Sequence, residues 1–459
     1  MKNINTKTLT KLFTTYLITC ILIINNASAQ WTELGGLNSL AANSDIETVC
    51  HDPSGNVYAA GYFSNDSTNE YVAKYNGTAW SELGGVNSLA ANDGILSICS
   101  DASGNIYAAG YFTNDSTHQY VAKWNGTAWS ELGGLNALKA NSVINSICID
   151  PSGNVYAAGE FTNSSSHNYV AKWNGTNWSE LGGVNALAAN STIHTVYCDP
   201  TGNIYAAGSF SDSTGKPYVA KWDGTNWSEL GGSSLAANAP INAISSDRSG
   251  NFYVGGNFTN GFNYYVAKWN GTNWSELGGF NALGANGYIS TITTDSAGNV
   301  YTGGNFNNTN FNYYVALYNG SSWSELGGAN ALAAIGATNS IRSLCTGTSG
   351  NLFAAGSFLD ASSSYYVAEY GSQHTGILET NNASDLKVYP NPAMNIVAIT
   401  TTDNIQTIRI ISETGEIVQK AENLSCSRYS MSISDIARGI YVVQVIGSDG
   451  IAIKKLVVE

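Results

Sequence analysis

Asp150-Pro151-Ser152-Gly153-Asn154-Val155-Tyr156-Ala157-Ala158-Gly159, continued by Tyr169-Val170-Ala171-Lys172-Trp173-Asn174-Gly175-Thr176-Asn177-Trp178-Ser179-Glu180-Leu181, decides the fold. The first five residues read as a reverse turn, because proline presets its first bend and glycine tolerates positive φ. Val155 to Gly159 and Tyr169 to Trp173 are strands. Asn174-Gly175 reads as a two-residue hairpin turn into a further strand opened by Trp178. That turn would set Ala171 opposite Trp178 and Trp173 opposite Thr176, with both indoles on one side of the sheet. Together with the apolar run before the aspartate, this makes four short antiparallel strands.

The same unit is opened by Trp31, Trp80, Trp129, Trp178, Trp227, Trp274 and Trp323, at intervals of 49, 49, 49, 49, 47 and 49 residues. Four-stranded units with a period near 50, repeated seven times, predict an all-β, seven-bladed β-propeller. The repeat starts with a lone outer strand at Trp31 to Leu34 and ends with three inner strands, the last at Tyr366 to Tyr370. If these two strands pair, both ends of the repeat complete one blade and no sheet edge is left open. All 11 tryptophans fall in the hairpin between strands three and four. Their recurrence in successive units suits packing between blades better than a sugar-binding platform. Residues 150–159 and 169–176 resemble bacterial propeller repeats of the kelch or galactose-oxidase-like kind. The resemblance implies the fold and says little about activity.

Charged residues make up 11% of the chain and the net charge is −14, so nucleic acid is a poor candidate partner. Residues 1–29 read as a secretory signal peptide: Lys2, Lys7 and Lys11 precede an apolar run from Tyr16 to Ile24, and Ala27-Ser28-Ala29 suits cleavage. Cys20 sits inside the apolar run, which fits a plain leader better than a lipid anchor. Beyond the leader, no stretch approaches the roughly 20 apolar residues of a membrane span.

The turns between strands one and two, and between three and four, are short and nearly invariant, so they close one face of the ring. On the other face lie the long connections between blades and a variable loop after strand two, such as Ser64 to Glu70, Ser211 to Pro217 and Thr259 to Tyr264. Variable loops on a rigid scaffold are where binding residues gather. Beside the invariant strand-one isoleucine stand Glu47, Leu96, Asn145, His194, Asn242, Ser290 and Arg342. At the end of strand two stand Tyr62, Tyr111, Glu160, Ser209, Asn257, Asn305 and Ser357. These positions mark the expected channel mouth. Glu47, Asn145, His194, Asn242, Arg342, Tyr62, Tyr111 and Glu160 are the candidate ligand residues.

Catalysis has little support in the sequence. His51, His118, His167, His194 and His374 have no metal-ligand spacing, no phosphate-binding glycine loop follows a strand, and alternating-aspartate calcium loops are missing. His194 would stand alone at the mouth, where a copper oxidase needs Tyr, His and Cys together, so no cofactor is expected. Asp52, Asp101, Asp150, Asp199, Asp247 and Asp295 recur at the turn and read as backbone holders rather than acids or bases. Cys50, Cys99, Cys148 and Cys345 share one slot in separate blades and read as small buried hydrophobes, with Cys198 one place later. No disulfide pairing can be assigned from these positions.

After residue 371 the repeat stops. Residues 372–385 read as a linker and 386–459 as a separate domain. Leu386 to Tyr389, Ile396 to Thr400, Thr407 to Ile411, Glu416 to Lys420, Arg428 to Ile433, Gly439 to Ile446 and Ala452 to Val458 predict seven strands of an immunoglobulin-like β-sandwich. Val388-Tyr389-Pro390-Asn391-Pro392-Ala393, Gly439-Ile440-Tyr441 and Lys454-Lys455-Leu456-Val457-Val458 closely resemble the C-terminal sorting domain of type IX secretion cargo. The resemblance implies passage through the periplasm, engagement of the type IX machinery, removal of the domain, and a mature propeller that is secreted or attached at the outer-membrane surface. Asp66-Ser67-Thr68, Asp115-Ser116-Thr117 and Asp212-Ser213-Thr214 resemble the O-glycosylation signal of bacteria that use this route.

The leading functional expectation is a propeller that binds a surface glycan or protein. The alternatives are a secreted polysaccharide hydrolase or lyase, which should show a clustered acid, base or metal set breaking the repeat symmetry at the mouth, and a structural surface component.

Overall fold

A computed structural model describes residues 30–371 and 386–458, apart from 233–234, 236, 329–331, 333–339, 361, 413–416, 423 and 448–450. The expected leader and linker lie outside the described residues. Gln30–Gly371 is one compact unit, and the described residues from 386 onward belong to a second.

The first unit is the seven-bladed propeller. Blade 1 pairs Ile46–His51, Val57–Gly61, Ala73–Tyr75 and Trp80–Glu82 in that spatial order, and blade 3 repeats it with Ile144–Ile149, Val155–Gly159, Ala171–Trp173 and Trp178–Glu180. The innermost strands neighbour one another in a closed circuit, with that of blade 7 (Ile341–Thr346) against that of blade 1. Gln30–Glu33 pairs antiparallel with Ala368–Gly371, setting Trp31 opposite Tyr370, so the N-terminal strand completes blade 7. The second strand of blade 1 is buried along its whole length because neighbouring blades cover both of its faces. The core is therefore shared between blades: Tyr107 and Ala109 of blade 2 pack with Ile144, Ile147 and Phe161 of blade 3.

The repeated aspartates hold the turns on one face. Asp150 Oδ1 accepts hydrogen bonds from the Ser152 and Asn154 backbone N–H groups, both at 2.9 Å. Its Oδ2 accepts from Asn154 Nδ2 at 2.7 Å and from the Tyr156 hydroxyl at 2.9 Å. Blade 7 changes both ends of this link, with Gly347 in place of the aspartate and Phe353 in place of the tyrosine. No hydroxyl is then left seeking a missing carboxylate.

The hairpin between strands three and four differs from the sequence expectation. Trp173 pairs directly with Trp178, and Ala171 faces Glu180. The turn has four residues, because Asn174 Oδ1 accepts from the backbone N–H groups of Thr176 and Asn177 and holds the chain out for two residues longer. The indoles still share one side, with ring centroids 5.9 Å apart. Each repeated outer tryptophan reaches the preceding blade: Trp178 Nε1 donates to the Leu132 carbonyl at 3.1 Å, and Trp31 closes the series by donating to Leu326 at 3.2 Å.

The cysteine expectation also needs correcting, since Cys148 and Cys198 form a disulfide between blades 3 and 4. The fifth residue of an inner strand faces the next blade: Cys50, for example, packs on the blade 2 cluster. The sixth faces back, as Ser100 does when its hydroxyl donates to the His51 carbonyl. Strand alternation thus turns Cys148 forward and Cys198, one place later, backward. Their Cα atoms lie 6.0 Å apart, within bridging reach.

Among the described residues the second unit has six strands rather than seven: Lys387–Tyr389, Ile396–Ser412, Ile417–Ala421, Cys426–Ser432, Gly439–Gly447 and Ile451–Val458. Two expected strands are continuous in Ile396–Ser412. Its first half pairs with Lys387–Tyr389 and Cys426–Ser432, and its second half with Ile417–Ala421 and Gly439–Gly447. An irregularity between Thr400 and Ile405 lets one strand serve both layers of a sandwich-like fold. Val397, Ile399, Ile408, Ile410, Val443 and Leu456 fill the space between them.

Candidate functional site

The variable position after each inner-strand isoleucine has a structural cause that sequence comparison does not reveal. Every inner strand slips register there, between Ile46 and Thr48 in blade 1 and between Ile193 and Thr195 in blade 4. Glu47, Leu96, Asn145, His194, Asn242, Ser290 and Arg342 are the unpaired residues of these seven β-bulges. A bulge re-aims a side chain out of the ladder, so these residues are freed from the packing that keeps their neighbours alike.

The next residue along the strand does the opposite work. Val49 N–H donates to Ser343 Oγ at 3.1 Å, Ile98 to Thr48 at 3.3 Å, Ile147 to Ser97 at 3.2 Å, Val196 to Ser146 at 3.1 Å and Leu344 to Thr291 at 3.1 Å. These hydroxyls stitch five of the seven inner strands to the following blade; blade 5 carries Ala243 at this position and has no hydroxyl to offer.

The candidate residues form three groups around the rim. The first lies where the ring closes. Arg342 of blade 7 approaches Asp45 at 3.6 Å and Glu47 at 3.4 Å, and Ser357 donates to Asp45 at 2.8 Å. Glu47 Oε1 is buried and meets Arg342 as an ion pair without a well-aligned hydrogen bond. Burial raises the Glu47 carboxyl above its usual range, Arg342 opposes that rise, and Asp45 adds to it.

The second group is aromatic. Tyr62 and Tyr111 of blades 1 and 2 lie with ring centroids 6.3 Å apart and planes inclined by 34°. The Tyr62 ring rests on Gly94, where a Cβ would lie 2.4 Å from it, so only glycine leaves room for that ring. Burial, followed by the neighbouring Tyr111, Glu47 and Asp93, pushes the Tyr62 phenol up to about 12.

The third group runs from blade 3 to blade 6. Asn145 Nδ2 donates to the Ile193 carbonyl at 3.1 Å, and Ser142 donates to the exposed Glu160 at 3.5 Å. His194 bonds both Asn242 and Ser209, and Asn242 reaches the Ile289 carbonyl at 2.9 Å. His194 thus has Asn242 and Ser209 as its partners, a grouping that only the bulge geometry makes visible.

Among the described residues, no three His, Cys, Asp or Glu side chains converge as a metal-binding group. A cleft of about 280 Å³ lies between blades 5 and 6, where Tyr318 takes the place that Trp124, Trp173, Trp222 and Trp269 hold in blades 2 to 5.

In the second unit the three sorting segments meet. Asn391 Nδ2 donates to the Lys455 carbonyl at 2.7 Å, and its Oδ1 accepts from Val457 N–H at 2.8 Å, so the side chain is laddered to the last strand. Lys454, Lys455 and Leu456 lie opposite Val443, Val442 and Tyr441, and Gly439 lies opposite Val458. Leu456 is fully buried, Lys455 is exposed, and the Tyr441 hydroxyl donates to the Ala437 carbonyl at 2.8 Å. Pro390 and Pro392 flank Asn391, and the Arg428 guanidinium lies over the Tyr389 ring at 5.8 Å.

A seven-bladed repeat propeller joined to a small sandwich-like domain is thus the class of protein defined here. Residues 387–459 match the family of secretion system C-terminal sorting domains, and the chain is a β-propeller repeat protein bearing a type IX sorting tail, which marks it for export to the cell surface or beyond. No curated protein sequence matches the chain. Similar solved structures include PorZ, an essential bacterial surface component of the type IX secretion system of Porphyromonas gingivalis, at 14% identity and a TM-score of 0.44, covering 91% of this chain. The chain spans 59% of the length of PorZ. A streptogramin B lyase is similar at 10% identity and a TM-score of 0.50, covering 75% of this chain and 97% of its own. The Aleuria aurantia lectin is similar at 16% identity and 0.39, covering 62% and 95%. At these identities the lyase likeness concerns the fold alone.

Proposed function

We propose that the exported propeller is a binding protein whose ligand, a surface glycan or another protein, is held at the channel mouth. The supporting observation is the break in symmetry. Blades that repeat nearly residue for residue place seven bulge side chains of six kinds on one rim. An aromatic pair, Tyr62 and Tyr111, lies beside a charged cluster of Arg342, Asp45 and Glu47. Apolar surface with a few fixed polar groups is the usual make-up of a ligand site. The sorting tail supports passage through the periplasm to the type IX translocon, with the mature propeller attached at the outer-membrane surface or released.

The test is binding of purified propeller to a glycan array and to cell-surface extracts, comparing wild type with Tyr62→Ala and Tyr111→Ala. Binding that both substitutions weaken at least about tenfold is expected. Equal binding by all three proteins would place the ligand elsewhere, and no binding at all would favour a structural role.

A further inference from the structure

Blade 4 departs from its neighbours at two mouth positions at once, with His194 on the bulge and Ser209 after the second strand. Ser209 Oγ lies 3.0 Å from His194 Nε2, and His194 Nδ1 lies 3.2 Å from Asn242 Oδ1. The amide of Asn242 is oriented by its other contacts. Its Nδ2 donates to Asn257 Oδ1 at 2.9 Å and to the Ile289 carbonyl at 2.9 Å, so Oδ1 is the atom turned toward the imidazole. An amide oxygen accepts and cannot donate, so Nδ1 carries the imidazole hydrogen. Nε2 is then the acceptor, and the Ser209 hydroxyl donates to it. A hydroxyl on a base that is held by a third group is the arrangement of an activated nucleophile. All three side chains are partly exposed at the mouth. This is also the symmetry-breaking cluster that a hydrolytic reading of the sequence requires.

We propose that Ser209, His194 and Asn242 form a nucleophilic centre for acyl transfer, acting on small carboxylic esters that enter the mouth. Ser209 Oγ bonds to the ester carbonyl carbon while its proton passes to His194 Nε2. The bond from that carbon to the alkoxy oxygen breaks, and the alcohol leaves carrying this proton. Water then bonds to the acyl carbon, giving a proton to Nε2. The carboxylic acid departs as Ser209 takes the proton back. Asn242 is a positioning residue: it holds the productive tautomer, but as a neutral amide it adds no charge to steady the imidazolium, so turnover is slow and covalent capture is the sharper assay. The centre does not depend on glycan or protein binding at the tyrosine side of the rim.

The experiment treats the secreted protein with a fluorophosphonate probe. A bond from Ser209 Oγ to phosphorus forms, the phosphorus–fluorine bond breaks, fluoride leaves and the proton goes to His194. One adduct mapped to Ser209 by peptide mass spectrometry is expected, absent in Ser209→Ala and formed at least ~100-fold more slowly in His194→Gln. Asn242→Ala, which frees the imidazole to take its other tautomer, should slow labelling about tenfold and change its pH profile, which a merely structural residue would not do. Tyr318→Trp, at the cleft between blades 5 and 6 and outside both this centre and the tyrosine pair, should label at the wild-type rate. No adduct on Ser209, or an unchanged rate in a folded His194→Gln protein, would overturn the proposal.

Discussion

Replacing Asp150 by asparagine tests what the repeated turn carboxylates do. Oδ1 would keep its two backbone partners, but the new amide nitrogen would face Asn154 Nδ2, another donor, and the Tyr156 hydroxyl. Asp150 is buried. Hydrogen bonds to a charged group contribute about 1.5–3 kcal/mol each, and rotation of the tyrosine hydroxyl recovers part of one, so Asp150→Asn should cost about 3 kcal/mol near neutral pH. Burial disfavours the ionised Asp150, but the bonds from Asn154, Tyr156 and Ser152 outweigh it and hold the carboxyl below the usual 3.8. A depressed carboxylate stabilises the fold above its unfolded pKa, and that contribution is lost as pH falls through the folded value. Urea denaturation followed by tryptophan fluorescence should therefore show a wide gap between variant and wild type at about pH 7 that narrows toward about pH 3. A gap below about 0.5 kcal/mol at neutral pH, or one that does not change with pH, would refute the reasoning.

Tyr318→Trp should fill the cleft between blades 5 and 6 and raise stability by about 1 kcal/mol, measured by the same titration; a loss would mean the space is already closed. Cys198→Ser removes a cross-link spanning 50 residues and should cost about 3–4 kcal/mol under oxidising conditions, while wild type and variant should converge in reductant. Asn391→Ala removes both bonds to the last strand and should lower the stability of the sorting domain by about 1–2 kcal/mol, with less protein reaching the medium in a secretion assay.

The ring and its closure were legible in the sequence because the information is repeated: each unit states the same turn, the same small buried strand and the same tryptophan, and the two incomplete ends are complementary. Single side chains acting on the backbone were not legible. Asn174 bonds two amides ahead of it and lengthens a turn that reads as Asn-Gly. Cys198 meets Cys148 because a one-residue offset reverses its face, and its partner lies in another blade. At the mouth the variable positions were found, but not the bonds linking His194, Ser209 and Asn242. Those bonds depend on a bulge, which arises from strand pairing and leaves no mark in residue type. In the sorting domain two strands were expected where one long strand crosses between layers, since the polar stretch from Thr400 to Asn404 looks like a loop.

Ring closure is tested most directly by a double substitution, Thr32→Cys with Glu369→Cys, at positions that lie opposite each other in the terminal strand pair. Mass spectrometry of the oxidised protein should show a cross-linked peptide joining the two positions, and the bond should raise the unfolding midpoint. Two free thiols that never pair in the folded protein would show that the terminal strands do not meet, and the closed ring would have to be abandoned.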